Sequence, residues 1–398
     1  MGKHSPQSFK GVREVKMRIG LDCQPLLGTK TGIGWYWHHL LKELAGVSQD
    51  DHFFLFGFSH SGKKPNLPED LMKKANIGML FPKVFPRTAI LGLSRISLGL
   101  IPGKFFPKLD LVHFPNFTAF PVGRARIVVT VHDLVYKLFP FTVDEKVRII
   151  LELFFPSSLK TAHVIIADSK STERDLLKFF PFVNGKTRVV YPGLDPIFSP
   201  VDDQIAKEAF LQRYHLERYI LYVGTLEPRK NLLNLLKAYE KLCRNSTTSS
   251  LPDLVLVGTK GWKNSLLFQY FENLNKEIQA KIHFLGYLPR EELPILYSCA
   301  DVFVFPSLYE GFGLPVLEAL ACGAPVVTSS TSSLPEVGGD VVLYVDPQSP
   351  EDIAEKIYAL LNDENLGERR NRGVLRAREF SWKKAAMEIY EIYKSIII

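Results

Sequence analysis

Short apolar runs and amphipathic segments alternate along the whole 398-residue chain. Runs rich in branched and aromatic residues predict strands, whereas apolar residues three or four positions apart predict helices. In the first half this pattern predicts strands at 17–22, 52–58, 110–114, 126–131, 163–167 and 188–191, with helices at 34–46, 144–159 and 171–179. In the second half it predicts strands at 219–223, 253–257, 281–285, 301–305, 325–328 and 341–344, with helices at 232–242, 291–298, 315–321 and 351–362.

Two successive series of strands and helices predict an α/β protein with two Rossmann-like, parallel-sheet domains that face a cleft. A length of 398 residues also exceeds what one hydrophobic core usually accommodates. The break between the domains is expected at 192–202, which is rich in Pro, Asp and Gly. We therefore expect the following division: a basic tail at 1–16, a first domain at 17–195, a second domain at 196–380 and a terminal helix at 381–398.

The most informative segment, SLYEGFGLPVLE, covers 307–318 and carries Glu310 and Glu318. A strand precedes it and helix-forming residues follow Gly313, so the segment predicts a strand, a glycine loop and a helix. Free N–H groups at a helix start favour an anion such as a diphosphate. We expect Glu310 in the loop, facing a sugar, and Glu318 about two turns along the helix, facing ribose hydroxyls. The alternative is an ordinary turn with two solvated glutamates. The other candidate donor-binding residues here are Gly311, Phe312, Gly313 and Leu314.

A second loop, GTLEPRKN at 224–231, follows a predicted strand and supplies cations. Arg229 and Lys230 are expected at a helix start, where the helix dipole disfavours positive charge unless an anion bridges them. A diphosphate would accept a forked contact from the guanidinium and a point charge from the ammonium. Gly224 and Thr225 complete this candidate donor loop. The alternative is a pair of solvated basic side chains.

Three weaker signals fall at other predicted strand ends. Gly32 and Gly34 open a helix and would let backbone N–H groups approach a phosphate, although a structural turn explains them better than a site does. His132 ends a strand and is a candidate for a sugar or acceptor contact, oriented by Asp133; a structural histidine is the alternative. The segment HFLGYLP at 283–289 would offer backbone groups to a nucleobase.

Composition narrows the class of protein. Cys23, Cys243, Cys299 and Cys322 lie far apart without paired spacing, which indicates buried thiols in a reducing compartment and neither a disulfide frame nor a zinc site. The polar start lacks the apolar core of a secretion signal, and no run of about twenty apolar residues occurs. We therefore expect a cytoplasmic protein.

Charge is distributed unevenly. Residues 1–196 carry 27 basic and 16 acidic residues, a net charge of +11, whereas residues 197–398 carry 22 and 26, a net charge of −4. Within 71–109, seven Lys and Arg residues alternate with apolar ones and no acidic residue occurs. Such a segment fits peripheral contact with an anionic membrane or, equally, core packing with a basic rim. Nucleic acid is not expected as a partner, because no recognised binding motif accompanies the charge.

These motifs resemble those of the retaining glycosyltransferases of family four, which have the two-domain GT-B fold. The resemblance extends from about 17 to 393 and is most specific at 307–318, at 224–231 and at VHDL, 131–134. The motifs GTLEPRKN, at 224–231, and YPGLD, at 191–195, are most similar to the sequences of members that transfer mannose from GDP-mannose in polysaccharide or glycolipid assembly. One departure is Thr225, because many relatives have arginine directly after the glycine of this loop.

The resemblance implies a role for each matching residue. Arg229 and Lys230 would hold the donor diphosphate, and Glu310 would contact the transferred hexose. Glu318 would hold the ribose and His132 would lie beside the sugar and the acceptor.

The resemblance also implies transfer of the hexose to a glycan or lipid-linked acceptor, without a metal or other cofactor. It further implies a terminal helix that crosses back to the first domain. A UDP-sugar-dependent transferase, a GT-B epimerase or phosphorylase, and a non-catalytic membrane-associated partner remain the alternatives.

Overall fold

The computed structural model describes residues 16–28, 32–58, 65, 67, 69–81, 91–92, 106–245 and 251–397. These residues form two β-sheets, one of seven strands and one of six, with helices packed against both. All strand pairs recorded in both sheets are parallel. The predicted two-domain α/β fold is therefore confirmed. We call the part built on the seven-stranded sheet the first domain and the part built on the six-stranded sheet the second domain.

The first sheet has the strand order β3-β2-β1-β4-β5-β6-β7. Its core strands are buried at nearly every position, because a parallel sheet is covered on both faces. The strands are β1 Arg18–Asp22, β2 His52–Phe56, β3 Ile77–Leu80, β4 Leu111–Phe114, β5 Arg126–Val131, β6 Val164–Ala167 and β7 Thr187–Val189. The accompanying helices are Gly32–Val47, Glu69–Met72, Val135–Leu138, Glu145–Thr161 and Lys170–Phe179.

The second sheet has the order β10-β9-β8-β11-β12-β13. Its strands are β8 Tyr219–Val223, β9 Asp253–Val257, β10 Ile282–Gly286, β11 Val302–Phe305, β12 Val326–Ser329 and β13 Leu343–Val345. The accompanying helices are Gln204–Tyr214, Leu232–Asn245, Ser265–Glu272, Lys276–Ala280, Leu293–Cys299, Leu314–Ala321, Leu334–Gly338, Pro350–Leu361 and Leu366–Ala377. The loops after β8 and β11 carry the candidate donor residues, so the carboxyl edge of this sheet positions the site.

The last helix, Trp382–Ile397, leaves the second domain and packs against Gly32–Val47 of the first. Its buried face shares the core of the first sheet, and Tyr393 contacts the ring of the buried His113. Burial lowers the pKa of His113 to about 3, so this imidazole is neutral near pH 7. The terminal helix thus ties the end of the chain to the first domain.

A polar contact that we call the Glu336 clasp joins the two domains. The Glu336 carboxylate of the second domain accepts hydrogen bonds from the backbone N–H groups of Lys170 and Ser171, both at 2.8 Å. The Tyr191 hydroxyl donates to the same carboxylate at 2.9 Å. Because Lys170 begins the helix Lys170–Phe179, the carboxylate lies where the helix dipole favours negative charge.

Strands 126–131 and 219–223 occur with the predicted boundaries. Strand Ile77–Leu80 is absent from the prediction because Gly78 interrupts its short apolar run. Helix Leu366–Ala377 is also absent from it. That helix is mostly charged and buries only Gly373 and Ala377, so it lacks a wide apolar face.

Candidate functional site

The acidic segment adopts the predicted order of strand, glycine loop and helix. Strand β11 ends at Phe305, and the helix Leu314–Ala321 follows directly after Gly313. Gly313 has φ of 106°, a left-handed conformation that side chains rarely adopt. A Cβ atom there would also lie 2.7 Å from Leu334. The loop therefore requires glycine at this position.

Glu310 is buried in that loop and pairs with both candidate cations. Its Oε2 lies 2.7 Å from Arg229 Nη1, and its Oε1 lies 2.6 Å from Lys230 Nζ. The Ser307 hydroxyl also donates to Oε1. Burial alone would raise the pKa of Glu310, but Arg229 and Lys230 lower it to about 2. Glu310 is consequently ionised throughout the physiological range.

Arg229 and Lys230 lie on the short 3-10 turn Pro228–Lys230 and precede the helix that begins at Leu232. The helix begins at the predicted residue, Leu232, so both cations stand just before its start. Asn231, with φ of 61°, separates the turn from the helix and redirects the chain. The charges of both cations are already balanced by the carboxylates of Glu227 and Glu310, without a bound anion such as a diphosphate.

The two cations differ in their surroundings. Arg229 donates to the Tyr309 carbonyl at 2.8 Å and to Glu227 at 2.7 Å, in addition to pairing with Glu310. Burial lowers the pKa of Arg229, yet Glu310 and Glu227 raise it overall. For Lys230, burial and the Arg229 charge outweigh Glu310 and lower the pKa. Arg229 therefore stays charged, whereas Lys230 gives up its proton more readily than an ordinary lysine does.

The start of the cation loop is also built on glycine. Gly224 has φ of 153°, and its carbonyl would lie 1.9 Å from a Cβ atom at Gly258 of the neighbouring strand end. The Thr225 carbonyl accepts a hydrogen bond from the Tyr222 hydroxyl at 3.2 Å. These contacts bring the loops after β8 and β9 close together, so no side chain fits at Gly258.

Glu318 is the fifth residue of the helix Leu314–Ala321, about one turn from its start and not the predicted two. It is buried, and Tyr297 donates to its Oε2 at 3.2 Å. Arg290 lies 3.5 Å from its Oε1. Burial raises the pKa of Glu318 to about 7 despite Arg290. The glutamates of one segment therefore differ in charge near neutral pH.

His132 directly follows β5, at the predicted strand end, but Asp168 and not Asp133 orients it. Its Nδ1 lies 2.6 Å from Asp168 Oδ2, and its Nε2 lies 2.8 Å from the Pro115 carbonyl. Asp133 instead accepts from the Val135 N–H at 3.0 Å. Burial lowers the pKa of His132, but Asp168 outweighs this effect and raises it overall. Both partners are acceptors, so the geometry fits an imidazolium that donates from both nitrogens.

The backbones of the two domains meet at Gly311. A Cβ atom at Gly311 would lie 1.9 Å from the His132 carbonyl and 3.1 Å from Asp133 Cβ. The Thr172 hydroxyl donates to the same carbonyl at 3.1 Å. The acidic loop and the end of β5 are thus brought together, as the sequence analysis expects.

Gly32 and Gly34 form the first turn of the helix Gly32–Val47, while residues 29–31 of their loop lie outside the described residues. Gly34 is buried, and the nearby Tyr36 ring contacts His132 edge to face, with ring centres 4.9 Å apart. Phe312 is buried, and Leu314 lies beside Glu318 at the contact between the domains. The structure therefore groups these residues around one interdomain region.

The sequence analysis missed several members of this region. Glu227 lies within the motif that contains Arg229, so its position beside the cations was the available signal. Asp168, Asp195 and Arg290 come from separate segments. No spacing links them to Glu318 or His132, and only the folded chain brings them there.

Most of the basic segment 71–109 lies outside the described residues, which include only 71–81, 91–92 and 106–109 of it. Membrane contact through that segment stays a prediction, as does a cytoplasmic location. No helix in the described ranges combines the length and the apolar composition that a bilayer crossing requires.

Models of two protein families match the chain. The model described as "Glycosyltransferase Family 4" matches residues 30–198, and the one described as "Glycosyl transferases group 1" matches residues 203–380. The chain is 34% identical over 390 residues to O-antigen chain mannosyltransferase B of Escherichia coli. That match covers 95% of this chain and 100% of the relative.

Two solved structures are similar in fold. Sucrose-phosphate synthase from Thermosynechococcus elongatus has a TM-score of 0.71 and 22% identity, over 96% of this chain and 99% of that one. WaaG, a glycosyltransferase involved in lipopolysaccharide biosynthesis, has a TM-score of 0.70 and 16% identity, over 94% and 99% of the chains. Both show the same two-domain architecture.

Proposed function

Because this chain belongs to glycosyltransferase family four and is a hexosyltransferase with the GT-B fold, we propose that it transfers mannose from GDP-mannose, with retained anomeric configuration, to a glycan or lipid-linked acceptor. The identity to an O-antigen mannosyltransferase over nearly the whole chain supports the sugar and the kind of acceptor.

The observation that carries this proposal is the buried cation pair beside a helix start. Arg229 and Lys230 converge on Glu310, next to the first turn of the helix Leu314–Ala321. Departure of a nucleoside diphosphate leaves negative charge on its phosphates. Fixed cations and helix N–H groups stabilise that charge without reorganising, which is usually the largest contribution to catalysis.

Glu310 is suited to the hexose and not to covalent catalysis. Two ion pairs and a pKa of about 2 make its carboxylate a weak nucleophile. Glu310 and Glu318 also belong to one segment and would not flank a bond from opposite sides, as the carboxylates of a hydrolase do. We therefore assign Glu310 to a charge contact with the transferred sugar and propose no glycosyl-enzyme intermediate.

The first domain contributes the acceptor side. Both ring nitrogens of His132 are held by Asp168 and the Pro115 carbonyl, so its proposed role beside the sugar is electrostatic and not that of a base. Transfer would require no metal ion, because the cations of the second domain supply the charge that a metal would otherwise provide.

The donor and the reaction can be tested together. Purified protein is screened for thermal stabilisation by GDP-mannose, UDP-glucose and UDP-N-acetylglucosamine, and transfer of labelled hexose is followed by NMR of the anomeric proton. We expect GDP-mannose to stabilise most and the product to keep the donor configuration. Stabilisation by a UDP-sugar alone would overturn the donor. Labelled hexose that is epimerised, or released only as sugar phosphate, would overturn the reaction.

A further inference from the structure

Arg290 connects Glu318 to the segment that joins the two domains. Its Nε and Nη2 both lie 2.9 Å from Asp195 Oδ2, whereas Nη2 lies 3.5 Å from Glu318 Oε1. Asp195 belongs to the segment between the last strand of the first sheet and the first strand of the second. The guanidinium is therefore shared unequally, with the closer contacts on Asp195.

Two aromatic rings lie against this guanidinium. Its central carbon lies 4.6 Å from the centre of the Trp35 ring and 4.9 Å from that of Phe198. Trp35 comes from the helix Gly32–Val47 of the first domain. Arginine stacks on aromatic faces while its fork stays free for carboxylates, which lysine does not reproduce. The position of Arg290 consequently depends on both domains.

Asp195 is held ionised by its surroundings. Burial alone would raise its pKa, but His39, with Nε2 at 3.1 Å, and Arg290 lower it overall. Its other oxygen accepts from the Ile197 N–H at 3.2 Å. Because Asp195 keeps its charge, it competes with Glu318 for Arg290 at any pH near neutral.

We propose that Arg290 is a positioning residue for the donor nucleoside: anchored on Asp195 and Trp35, it orients the Glu318 carboxylate to accept hydrogen bonds from the ribose hydroxyls. The inference rests on the proposed function, because it takes Glu318 to bind ribose. It goes further in making donor binding depend on the linker and on the first domain.

The electrostatics around Glu318 agree with this role. Besides Arg290, the titratable groups around Glu318 are Tyr297, Asp195 and Cys322, together with Tyr36 and His39, which line the same pocket. Burial raises the pKa of Glu318 to about 7, and Arg290 opposes that rise. Without Arg290 the carboxyl would hold its proton to higher pH and would accept hydrogen bonds less well.

The test is the variant Arg290→Gln, assayed by calorimetric titration with GDP and, in parallel, UDP, which share the ribose. We expect the affinity for the nucleotide that binds wild type to fall about tenfold at pH 7. The loss should shrink at pH 9, where Glu318 ionises without help. An equal loss at both pH values, or none at either, would overturn the positioning role.

Two control variants separate charge from shape and from fold. Arg290→Lys keeps a charge but loses the fork, so we expect a smaller loss than for glutamine and a pH profile near that of wild type. Arg213→Gln removes an exposed arginine that pairs with Glu292 at 3.2 Å, and affinity should not change. A lysine variant as weak as glutamine, with the same pH profile, would contradict the electrostatic part.

A double-variant cycle distinguishes this inference from the proposed function. Glu318→Gln should weaken nucleotide binding and remove the pH dependence, and adding Arg290→Gln should then have little further effect. If Glu318→Gln leaves affinity unchanged, the ribose role itself fails. If Glu318→Gln weakens binding but Arg290→Gln acts fully in its presence, only the coupling of Arg290 to Glu318 fails.

Discussion

The two ends of the acidic segment place buried glutamates in opposite electrostatic conditions. Glu310 has a cation on each oxygen, whereas Glu318 shares one arginine at 3.5 Å with a second carboxylate. The pKa of Glu310 is about 2 and that of Glu318 is about 7. Burial raises both values, so the difference comes from the number and distance of the cations. Spacing in the sequence therefore does not determine the charge of such a pair.

The ends also differ in which domain supplies their partners. Arg229, Lys230 and Ser307, which hold Glu310, all belong to the second domain. At the other end, Arg290 is positioned by Asp195 of the linker and by Trp35 of the first domain. The Glu310 end is preorganised within one domain, whereas the Glu318 end is complete only when the domains meet.

The largest expected effect is at the Glu310 end. Glu310→Gln keeps the shape but leaves two buried cations without their carboxylate, and we expect kcat to fall by about 10³-fold. Steady-state transfer assays measure it, with the exposed Glu272→Gln as the matched control. If Glu318→Gln lowers kcat more than Glu310→Gln does, the sugar and ribose roles are reversed.

Removing either cation that pairs with Glu310 tests the same part of the site. We expect Arg229→Ala and Lys230→Ala each to lower kcat/KM by at least about tenfold. Arg229→Ala should also reduce the free energy of unfolding by about 3 kcal/mol, because it removes the cation beside the buried Glu227 and leaves Glu310 with Lys230 alone. Chemical denaturation measures this change. As control, Arg244→Ala removes an exposed helix pair and should cost less than about 0.5 kcal/mol. Near-wild-type kcat/KM in both variants would remove the diphosphate assignment.

The smallest effect is the opposite pH dependence of stability at the two ends. The pKa of Glu318 is raised to about 7, so its contribution to stability is complete below pH 4.5 and is lost as pH rises through 7. The pKa of Glu310 is lowered to about 2, so its contribution is present above pH 4.5 and is lost as pH falls towards 2. Relative to wild type, Glu318→Gln should therefore gain stability from pH 6 to pH 8. Thermal unfolding across that range checks this, and a constant difference would contradict the raised pKa.

The sequence was sufficient where chemistry and spacing lie in one segment. Gly313, Glu310 and the pair Arg229 and Lys230 are local to strand ends, and the parallel fold brings such ends to one edge. It was not sufficient for Arg290, whose partner Asp195 lies 95 positions away. The contact between Asp168 and His132 likewise arises only from the pairing of β5 with β6.

The sequence predicted the position of the two cations but not their partners. Arg229 and Lys230 stand just before the helix start at Leu232, but they lie on a separate 3-10 turn, and Asn231 redirects the chain between turn and helix. The dipole argument for an anion was therefore incomplete, because Glu227 and Glu310 already balance the cations. Glu310 reaches the cations only through the tertiary fold, 80 positions from Lys230, whereas Glu227 lies in the same loop as Arg229.

The Glu336 clasp has a consequence for turnover. If the domains separate at this contact, water replaces the hydrogen bonds between the Glu336 carboxylate and the amides of Lys170 and Ser171, and it hydrates all three groups well. A contact of this kind favours the joined state by only about 1 to 2 kcal/mol. Breaking this contact therefore costs little free energy, and the contact should weaken further as ionic strength rises.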